Sequence, residues 1–232
     1  MIGTPLDWLR LTRSSNLPTV ATNILAATAV VGGAFTSRWW LLFVAVTAVY
    51  AAGMILNDLT DRATDRLERP DRPIPSGRIA LFPARLVAVT LIGLAMALTG
   101  LHALVALPWM LLLILLVGLY NALPRHSFIS VRVMSSCRAM IPVITCFWLG
   151  GDLSLSLQIL VVSCFVYTEL ISQLAKAEAT IEGRAGIVQF VIAGFCLHDA
   201  IWAIGAGRPE LALIAVVCFF LMLALHRVIP GS

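Results

Sequence analysis

The sequence predicts an all-α fold, a polytopic helical bundle that spans a membrane and forms one domain over residues 1–232. Hydrophobic residues make up 60% of the chain and charged residues only 12%. The mean hydropathy of +0.96 lies far above that of water-soluble globular proteins. Apolar runs near the roughly 20 residues that cross a bilayer recur along the chain. No segment keeps the strand period for long enough to indicate a β-barrel.

The apolar runs, bounded by charged residues, glycines and prolines, define the individual helices. They predict about eight transmembrane helices, two of which, 108–123 and 133–150, are at the short end of the usual range. The predicted spans are residues 16–35, 39–57, 84–106, 108–123, 133–150, 153–175, 186–205 and 209–228.

The distribution of basic residues predicts the orientation. With the N-terminus inside, 14 of the 16 lysines and arginines fall on one side of the membrane, and only Arg38 and Arg208 fall on the other. Short loops biased this strongly follow the positive-inside rule. We therefore expect both termini on the cytoplasmic side of a membrane of the bacterial inner-membrane type, with any site on that side facing the cytoplasm.

One polar segment, residues 57–78, reads NDLTDRATDRLERPDRPIPSGR and concentrates acidic and basic residues. Asn57, Asp61 and Asp65 are spaced four residues apart, so a helix that continues out of the second span places them on one face. Magnesium is usually held by one or two carboxylates together with substrate phosphates. The spacing therefore predicts a site for a metal-bound diphosphate.

Three arginines follow these carboxylates at intervals of three residues. Arg66, Arg69 and Arg72 precede Pro73 and Pro75, which are expected to end the helix. Their guanidinium groups are suited to neutralising phosphate oxygens. The segment 58–85 is thus predicted to form a cytoplasmic cap loop over the site.

A simpler interpretation is a solvated helical loop whose charges only pair with each other. Asp58 would then pair with Arg62, and Asp65 with Arg69, each at a spacing of four residues. That interpretation does not explain why Asn57 and Asp58 end a run as apolar as AVTAVYAAGMIL. Burying a carboxylate at such a position costs on the order of 3 kcal/mol, and such residues usually mark a site.

The pattern NDxxDxxxD at 57–65, followed by RPxRPIPSG at 69–77, closely resembles the first aspartate-rich motif and cap loop of the UbiA superfamily of intramembrane prenyltransferases. The resemblance implies that the cofactor is Mg²⁺ and that the donor is a prenyl diphosphate. The metal ligands implied by the motif are Asn57, Asp61 and Asp65, with Asp58 as a possible helper.

The similarity extends over most of the chain. RLTRSSNLPTVATN, before and within the first span, resembles the family and implies that Asn16 and Asn23 border the cavity. LYNALPR at 119–125 and SSCRAM at 135–140 resemble the fourth and fifth spans of short members. Arg138 then faces the diphosphate end, although a snorkelling side chain is an equal alternative.

The second aspartate-rich motif of the family is degenerate here. Residues 167–186 occupy its place and begin YTELISQLAKAEATIEGR, with no aspartate. Glu178 is expected to supply an oxygen to a second Mg²⁺, and Lys176 to contact phosphate as a point charge. Glu178 and Glu182 as mere interface residues are the alternative. The pattern resembles a short, divergent branch that includes EboC-like proteins.

These features predict a Mg²⁺-dependent prenyltransferase. Departure of diphosphate leaves an allylic cation, which an aromatic or other electron-rich small molecule attacks. The groups expected to stabilise leaving-group charge are Arg66, Arg69, Arg72, Arg138 and Lys176. Those whose π faces are suited to the cation include Tyr120 and Tyr167, although aromatic residues near span ends more often belong to the interfacial belt. The expected partners also include membrane lipids but no nucleic acid.

A non-catalytic relative that binds or passes a lipid-linked or aromatic metabolite remains the main alternative, because the second motif is degenerate. A CDP-alcohol phosphatidyltransferase is disfavoured, since its motif begins with Asp-Gly and here Leu59 follows Asp58.

The remaining polar residues of the spans give weaker signals. Five cysteines are scattered without a CxxC or Cys/His pairing, so neither a disulfide framework nor a zinc site is predicted. His198 and Asp199 are adjacent within the seventh predicted span, and we interpret them as structural residues that face the bundle interior.

Overall fold

The structure is a computed structural model that describes residues 1–124, 127–178 and 187–229, without the side chains of residues 176–178. Over these residues the regular secondary structure is α-helical, apart from two short 3₁₀ turns, Ser14–Asn16 and Leu104–Ala106, and one isolated β-bridge. This confirms the predicted fold class. The helices are α1 (Pro5–Leu11), α2 (Leu17–Val30), α3 (Ser37–Thr60), α4 (Arg62–Glu68), α5 (Leu81–His102), α6 (Leu107–Ala122), α7 (Phe128–Leu149), α8 (Leu155–Glu178), α9 (Ile187–Gly205) and α10 (Pro209–Val228).

Seven helical segments in the described part of the chain are long and apolar enough to cross a membrane. The predicted first span differs, because α2 has only 14 residues and is about 21 Å long at 1.5 Å per residue. Helix α2 begins only after the 3₁₀ turn at Ser14–Asn16. Gly32, with φ of 68°, turns the chain after the end of α2. Helix α2 is therefore a short central helix.

Packing places α2 in the interior and α5 and α6 on the outside. Helix α2 packs against α7, α9 and α10, and most of its side chains are buried. Helix α3 packs against α5 and α6. In α6 only Met110 and Leu113 are buried, while Leu111, Leu115 and Leu119 are exposed. An apolar surface of this kind is suited to contact with lipid tails.

The N-terminal segment is attached to the end of the predicted cap loop. Ile2 pairs with Ile79 in the β-bridge. A capping box begins α1, in which Asp7 accepts from the Thr4 backbone N–H at 2.9 Å, and Asp7 also accepts from Arg78 Nε at 2.7 Å. The Thr4 backbone and side-chain hydrogen bonds, followed by the Arg78 charge, lower the pKa of Asp7. These contacts hold α1 close to the start of α5.

Candidate functional site

The predicted acidic motif forms a compact cluster where α3 meets α4. We call Asn57, Asp58, Asp61 and Asp65 the acidic cluster. Helical hydrogen bonding continues across the junction, since Asp61 N donates to Asn57 O and Asp65 N donates to Asp61 O, both at 2.9 Å. Asn57 Nδ2 also donates to Asp61 Oδ2 at 3.2 Å. The structure thus brings Asn57, Asp61 and Asp65 onto one face, as their spacing predicts.

The helix ends earlier than predicted. Helix α4 stops at Glu68, and Arg69 leaves the helical region with φ of −143° and ψ of 60°. Pro70 explains this end, because a proline disfavours helical backbone in the residue before it. Arg69 and Arg72 therefore do not continue a helical face, and Arg66 and Arg69 lie on the exposed surface.

Arg72 turns back into the acidic cluster. Its Nη1 lies 2.6 Å from Asp65 Oδ2 and 3.4 Å from Asp58 Oδ1, and the residue is only 4% exposed. Asp58 and Asp65 are also buried. Asp58 is thus paired with arginines distant in sequence, Arg13 and Arg72, rather than with its helical neighbour Arg62. The charges form a tertiary cluster and not a simple solvated loop.

Arg13 is a site residue that the sequence reasoning missed. Its Nη2 donates to Asn57 Oδ1 and Asp58 Oδ1, each at 3.3 Å. Its φ of 48° makes it the one non-glycine residue with positive φ in the described ranges. Such strained conformations tend to occur at functional sites. In the sequence, Arg13 is only one of the basic residues before the first span, and the positive-inside rule accounts for such residues without a site.

A cavity of about 280 Å³ adjoins the acidic cluster. Arg13 joins the two, because it lines the cavity and also contacts Asn57 and Asp58. The walls are mainly apolar and come from α3, α6, α7, α8 and α9, including Val46, Val49, Leu113, Ile141 and Phe195. An apolar chamber with a charged rim is the usual form of a site for an amphiphilic small molecule.

Three of the residues predicted to contact substrate line this cavity, namely Asn16, Tyr120 and Arg138. Arg138 does not snorkel away, since its Nη2 donates to Thr19 O at 3.0 Å and its guanidinium lies 4.2 Å from the Phe195 ring centroid. Asn16 Oδ1 lies 2.9 Å from His226 Nε2. His226 is therefore a second residue that sequence spacing did not indicate.

Two predicted residues lie behind the cavity wall. Asn23 is fully buried, and its Nδ2 lies 3.1 Å from Cys164 Sγ and 3.4 Å from Asp199 Oδ1. The Tyr167 hydroxyl donates to Val191 O at 2.9 Å and its ring packs on Phe195. Neither side chain belongs to the cavity lining, and Tyr167 instead packs behind the lining residue Phe195.

The degenerate second motif is described only in part. Lys176 and Glu178 are in the last turn of α8, and their side chains, together with residues 179–186, lie outside the described residues. Their proposed roles in binding phosphate and metal stay predictions.

The family model for UbiA prenyltransferases matches residues 16–229, which is most of the chain. The chain belongs to the UbiA prenyltransferase family. Among solved structures, one of digeranylgeranylglyceryl phosphate synthase aligns with a TM-score of 0.65 and 19% identity over 97% of this chain and 88% of its own. A UbiA homolog from Archaeoglobus fulgidus, bound to DMAPP and Mg²⁺, aligns with a TM-score of 0.59 and 16% identity over 96% and 86%. These similarities establish a shared fold.

Sequence relatives include digeranylgeranylglyceryl phosphate synthases of archaea. That of Methanoculleus marisnigri is 38% identical over 92 residues, 39% of this chain and 33% of the relative. That of Methanoregula boonei is 33% identical over 130 residues, 54% and 47% of the two chains. The chain thus matches between a third and a half of these relatives' length. Placement in a bacterial inner membrane and in the EboC-like branch stays a prediction.

Proposed function

We propose that this protein is an integral-membrane prenyltransferase that binds a prenyl diphosphate at the acidic cluster and transfers the prenyl group to a small-molecule acceptor. The observation that carries the proposal is the junction at Arg13 between the oxygen-rich acidic cluster and the apolar cavity. A donor with a charged head and an apolar tail matches these two surfaces.

The acidic cluster has the chemistry that Mg²⁺ requires. Its donors are carboxylate and amide oxygens, with no sulfur or imidazole among them, and hard cations prefer such ligands. Asn57, Asp61 and Asp65 would hold the ion, and Glu178 would add an oxygen from the second motif. Bound Mg²⁺ would neutralise charge on the departing diphosphate. The A. fulgidus homolog bound to DMAPP and Mg²⁺ supports this assignment by analogy.

The basic residues of the site would contribute to donor binding in different ways. Arg72 holds Asp58 and Asp65 in place through buried ion pairs. Arg13 reaches both the acidic cluster and the cavity, so its guanidinium is placed to contact diphosphate oxygens. Arg66 and Arg69, on the exposed surface, and Lys176 would contribute longer-range positive potential.

The cavity would hold the prenyl chain and shield the reacting carbon from water. Gly53 allows a close approach of α3 to α6, because a Cβ at that position would lie 3.0 Å from Val117 Cγ1. Tyr120 and Phe195 present aromatic rings to the cavity, and such faces stabilise cations. Excluding water protects an allylic cation from hydrolysis.

Two classes of acceptor are candidates for the proposed reaction. The family resemblance suggests an aromatic or other electron-rich acceptor, whereas the names of the sequence relatives suggest a glycerol phosphate type. Arg13, Arg138 and Asn16 at the cavity rim favour an acceptor that carries an anionic or carbonyl group.

The test is a transfer assay with purified protein in lipid nanodiscs, labelled geranyl diphosphate, and both acceptor classes. Asp61→Asn and Asp65→Asn should each abolish Mg²⁺-dependent donor binding and product formation, because each removes a carboxylate from the proposed metal site. Asp71→Asn, an exposed carboxylate of the same segment, is the matched control and should leave both unchanged. Equal donor binding in all four proteins would overturn the proposal. Tight Mg²⁺-dependent binding without product from any acceptor would instead support the non-catalytic alternative.

A further inference from the structure

A second polar group lies in the interior of the bundle, outside the proposed site. Cys164 of α8 meets His198 and Asp199 of α9, and we call these three residues the buried triad. One ligand atom from each lies within 4.8 Å of the others. Cys164 and Asp199 are almost completely buried. Ionisable side chains within a span are costly and usually functional.

Ser163 is the hydrogen-bond partner of one ring nitrogen of His198. The Ser163 hydroxyl donates to Leu160 O at 2.8 Å and accepts from Trp202 Nε1 at 3.1 Å. His198 Nε2 lies 3.0 Å from the same oxygen. When the hydroxyl hydrogen is directed at Leu160 O, Nε2 is the donor to Ser163; in the other tautomer the hydroxyl donates to Nε2 and Nδ1–H donates to Asp199.

With Nε2 as the donor, the other side of the ring is available to a cation. A neutral imidazole with hydrogen on Nε2 presents a lone pair at Nδ1. That atom lies 3.0 Å from Asp199 Oδ1, which also presents lone pairs. Two acceptors at this distance repel each other unless a proton or a metal ion lies between them.

Asn23 supplies a fourth polar group to the triad. Its Nδ2 approaches both Cys164 Sγ and Asp199 Oδ1, whereas its buried Oδ1 has no hydrogen-bond partner among the described residues. The oxygen and nitrogen of an amide exchange places by a half-turn. After that rotation Oδ1 faces the triad as a ligand.

We propose that the buried triad binds one zinc-class metal ion through Cys164 Sγ, His198 Nδ1, an Asp199 oxygen and the rotated Asn23 Oδ1. Thiolate and imidazole favour zinc over magnesium, so this site is chemically distinct from the acidic cluster. One thiolate and one carboxylate balance a divalent charge, which suits an interior surrounded by lipid. Binding releases the thiol proton, together with a proton from between Nδ1 and Oδ1 where one lies there.

The surroundings of His198 agree with a metal ligand. Ligating histidines usually donate their other ring N–H to a fixed acceptor, and Ser163 occupies that position. The four ligands come from α2, α8 and α9, so the ion would tie the short central helix to two of its neighbours. Sequence spacing could not reveal this, because Asn23, Cys164 and the His198–Asp199 pair are far apart in the chain.

The test measures metal in the full-length protein, purified in detergent after incubation with zinc and then dialysed. Elemental analysis should find about one zinc ion per chain, as for a closed structural site. Cobalt substitution should give thiolate-to-cobalt charge-transfer absorption in the near ultraviolet. Cys164→Ser should lose both signals, while Cys146→Ser, another fully buried cysteine, should keep both.

Two further variants distinguish zinc held by the buried triad from zinc held at the acidic cluster. Ser163→Ala should weaken zinc binding by about 10- to 100-fold, because it removes the partner that orients His198. Zinc that survives Cys164→Ser but is lost in Asp61→Asn would belong to the acidic cluster and would overturn the proposal. Substoichiometric zinc and no cobalt–thiolate band in the wild-type protein would show that a proton, and not a metal ion, lies between His198 Nδ1 and Asp199 Oδ1. This result would overturn the proposal whether or not the variants fold.

Discussion

Replacement of Arg13 tests whether the junction between the acidic cluster and the cavity is the reaction site. Arg13→Asn removes two hydrogen bonds of 3.3 Å, one to Asn57 and one to Asp58. Asparagine tolerates the left-handed backbone found at this position, with φ of 48°. The substitution therefore removes the guanidinium without adding backbone strain.

The expected loss follows from the contacts of this side chain. If Arg13 contacts the departing diphosphate, it supplies one preorganised electrostatic interaction, and such groups are worth about 10²–10³ in kcat. Arg13 is partly exposed to solvent. We therefore expect a decrease of about 10- to 100-fold, equivalent to about 1.4 to 2.8 kcal/mol in the barrier.

The stability cost should be smaller than the catalytic effect. Asp58 keeps its ion pair with Arg72 at 3.4 Å when Arg13 is removed. Relief of left-handed strain, about 1 kcal/mol for a non-glycine residue, offsets part of the lost hydrogen bonding. Thermal unfolding in detergent should therefore change little.

The assay compares initial rates of prenyl transfer at saturating Mg²⁺ and varied geranyl diphosphate. Arg85→Gln, which removes one positive charge from an exposed position at the start of α5, is the matched control and should retain its rate. An Arg13→Asn protein with the kcat and KM of the wild type would refute the reasoning, and a parallel loss in both variants would indicate only a general charge effect.

Three further predictions address topology, catalysis and the N-terminal contact. Alkaline phosphatase fused after Ser76 should be inactive and a cytoplasmic reporter at that point active; the opposite pattern would reverse the orientation. Glu178→Gln should lower product formation by about one to three orders of magnitude while donor binding falls much less, because a second-motif ligand acts most on leaving-group charge; rates and binding that fall equally would contradict this. Asp7→Asn should lower Tm at pH 7, since Thr4 and Arg78 lower the pKa of Asp7 and the resulting stabilisation is present above its unfolded pKa. This difference in Tm should shrink as the pH falls below about 4, and a constant difference in thermal scans across pH would argue against it.

The sequence predicted well the features that depend on local periodicity. The long apolar runs gave α3 and α5 to α10, and the spacing of Asn57, Asp61 and Asp65 gave the shared face. These succeed because helix length and side-chain direction are set by nearby residues. The helix was predicted to end at Pro73 and Pro75, but it ends at Glu68, because Pro70 disfavours helical backbone at Arg69.

Features that depend on tertiary contacts were beyond the sequence. Arg13 contacts residues more than forty positions away, and His226 meets Asn16 across 210 positions. The family resemblance predicts that Asn23 borders the cavity, yet its amide faces Asp199 on α9. The direction in which α2 presents a polar side chain depends on the packing of neighbours on several sides, and a single chain does not reveal that arrangement.

The position of α6 affects how the kinetics of this protein should be expressed. One side of this helix, through Leu113, Val117 and Tyr120, lines the cavity, whereas Leu111 and Leu115 face outwards. A single helix thus separates the chamber from the acyl chains of the bilayer. Under the proposed function, a prenyl donor long enough to partition into that layer has an effective concentration expressed in moles per mole of lipid. Diluting the vesicles with buffer leaves that quantity unchanged, whereas adding inert lipid lowers it.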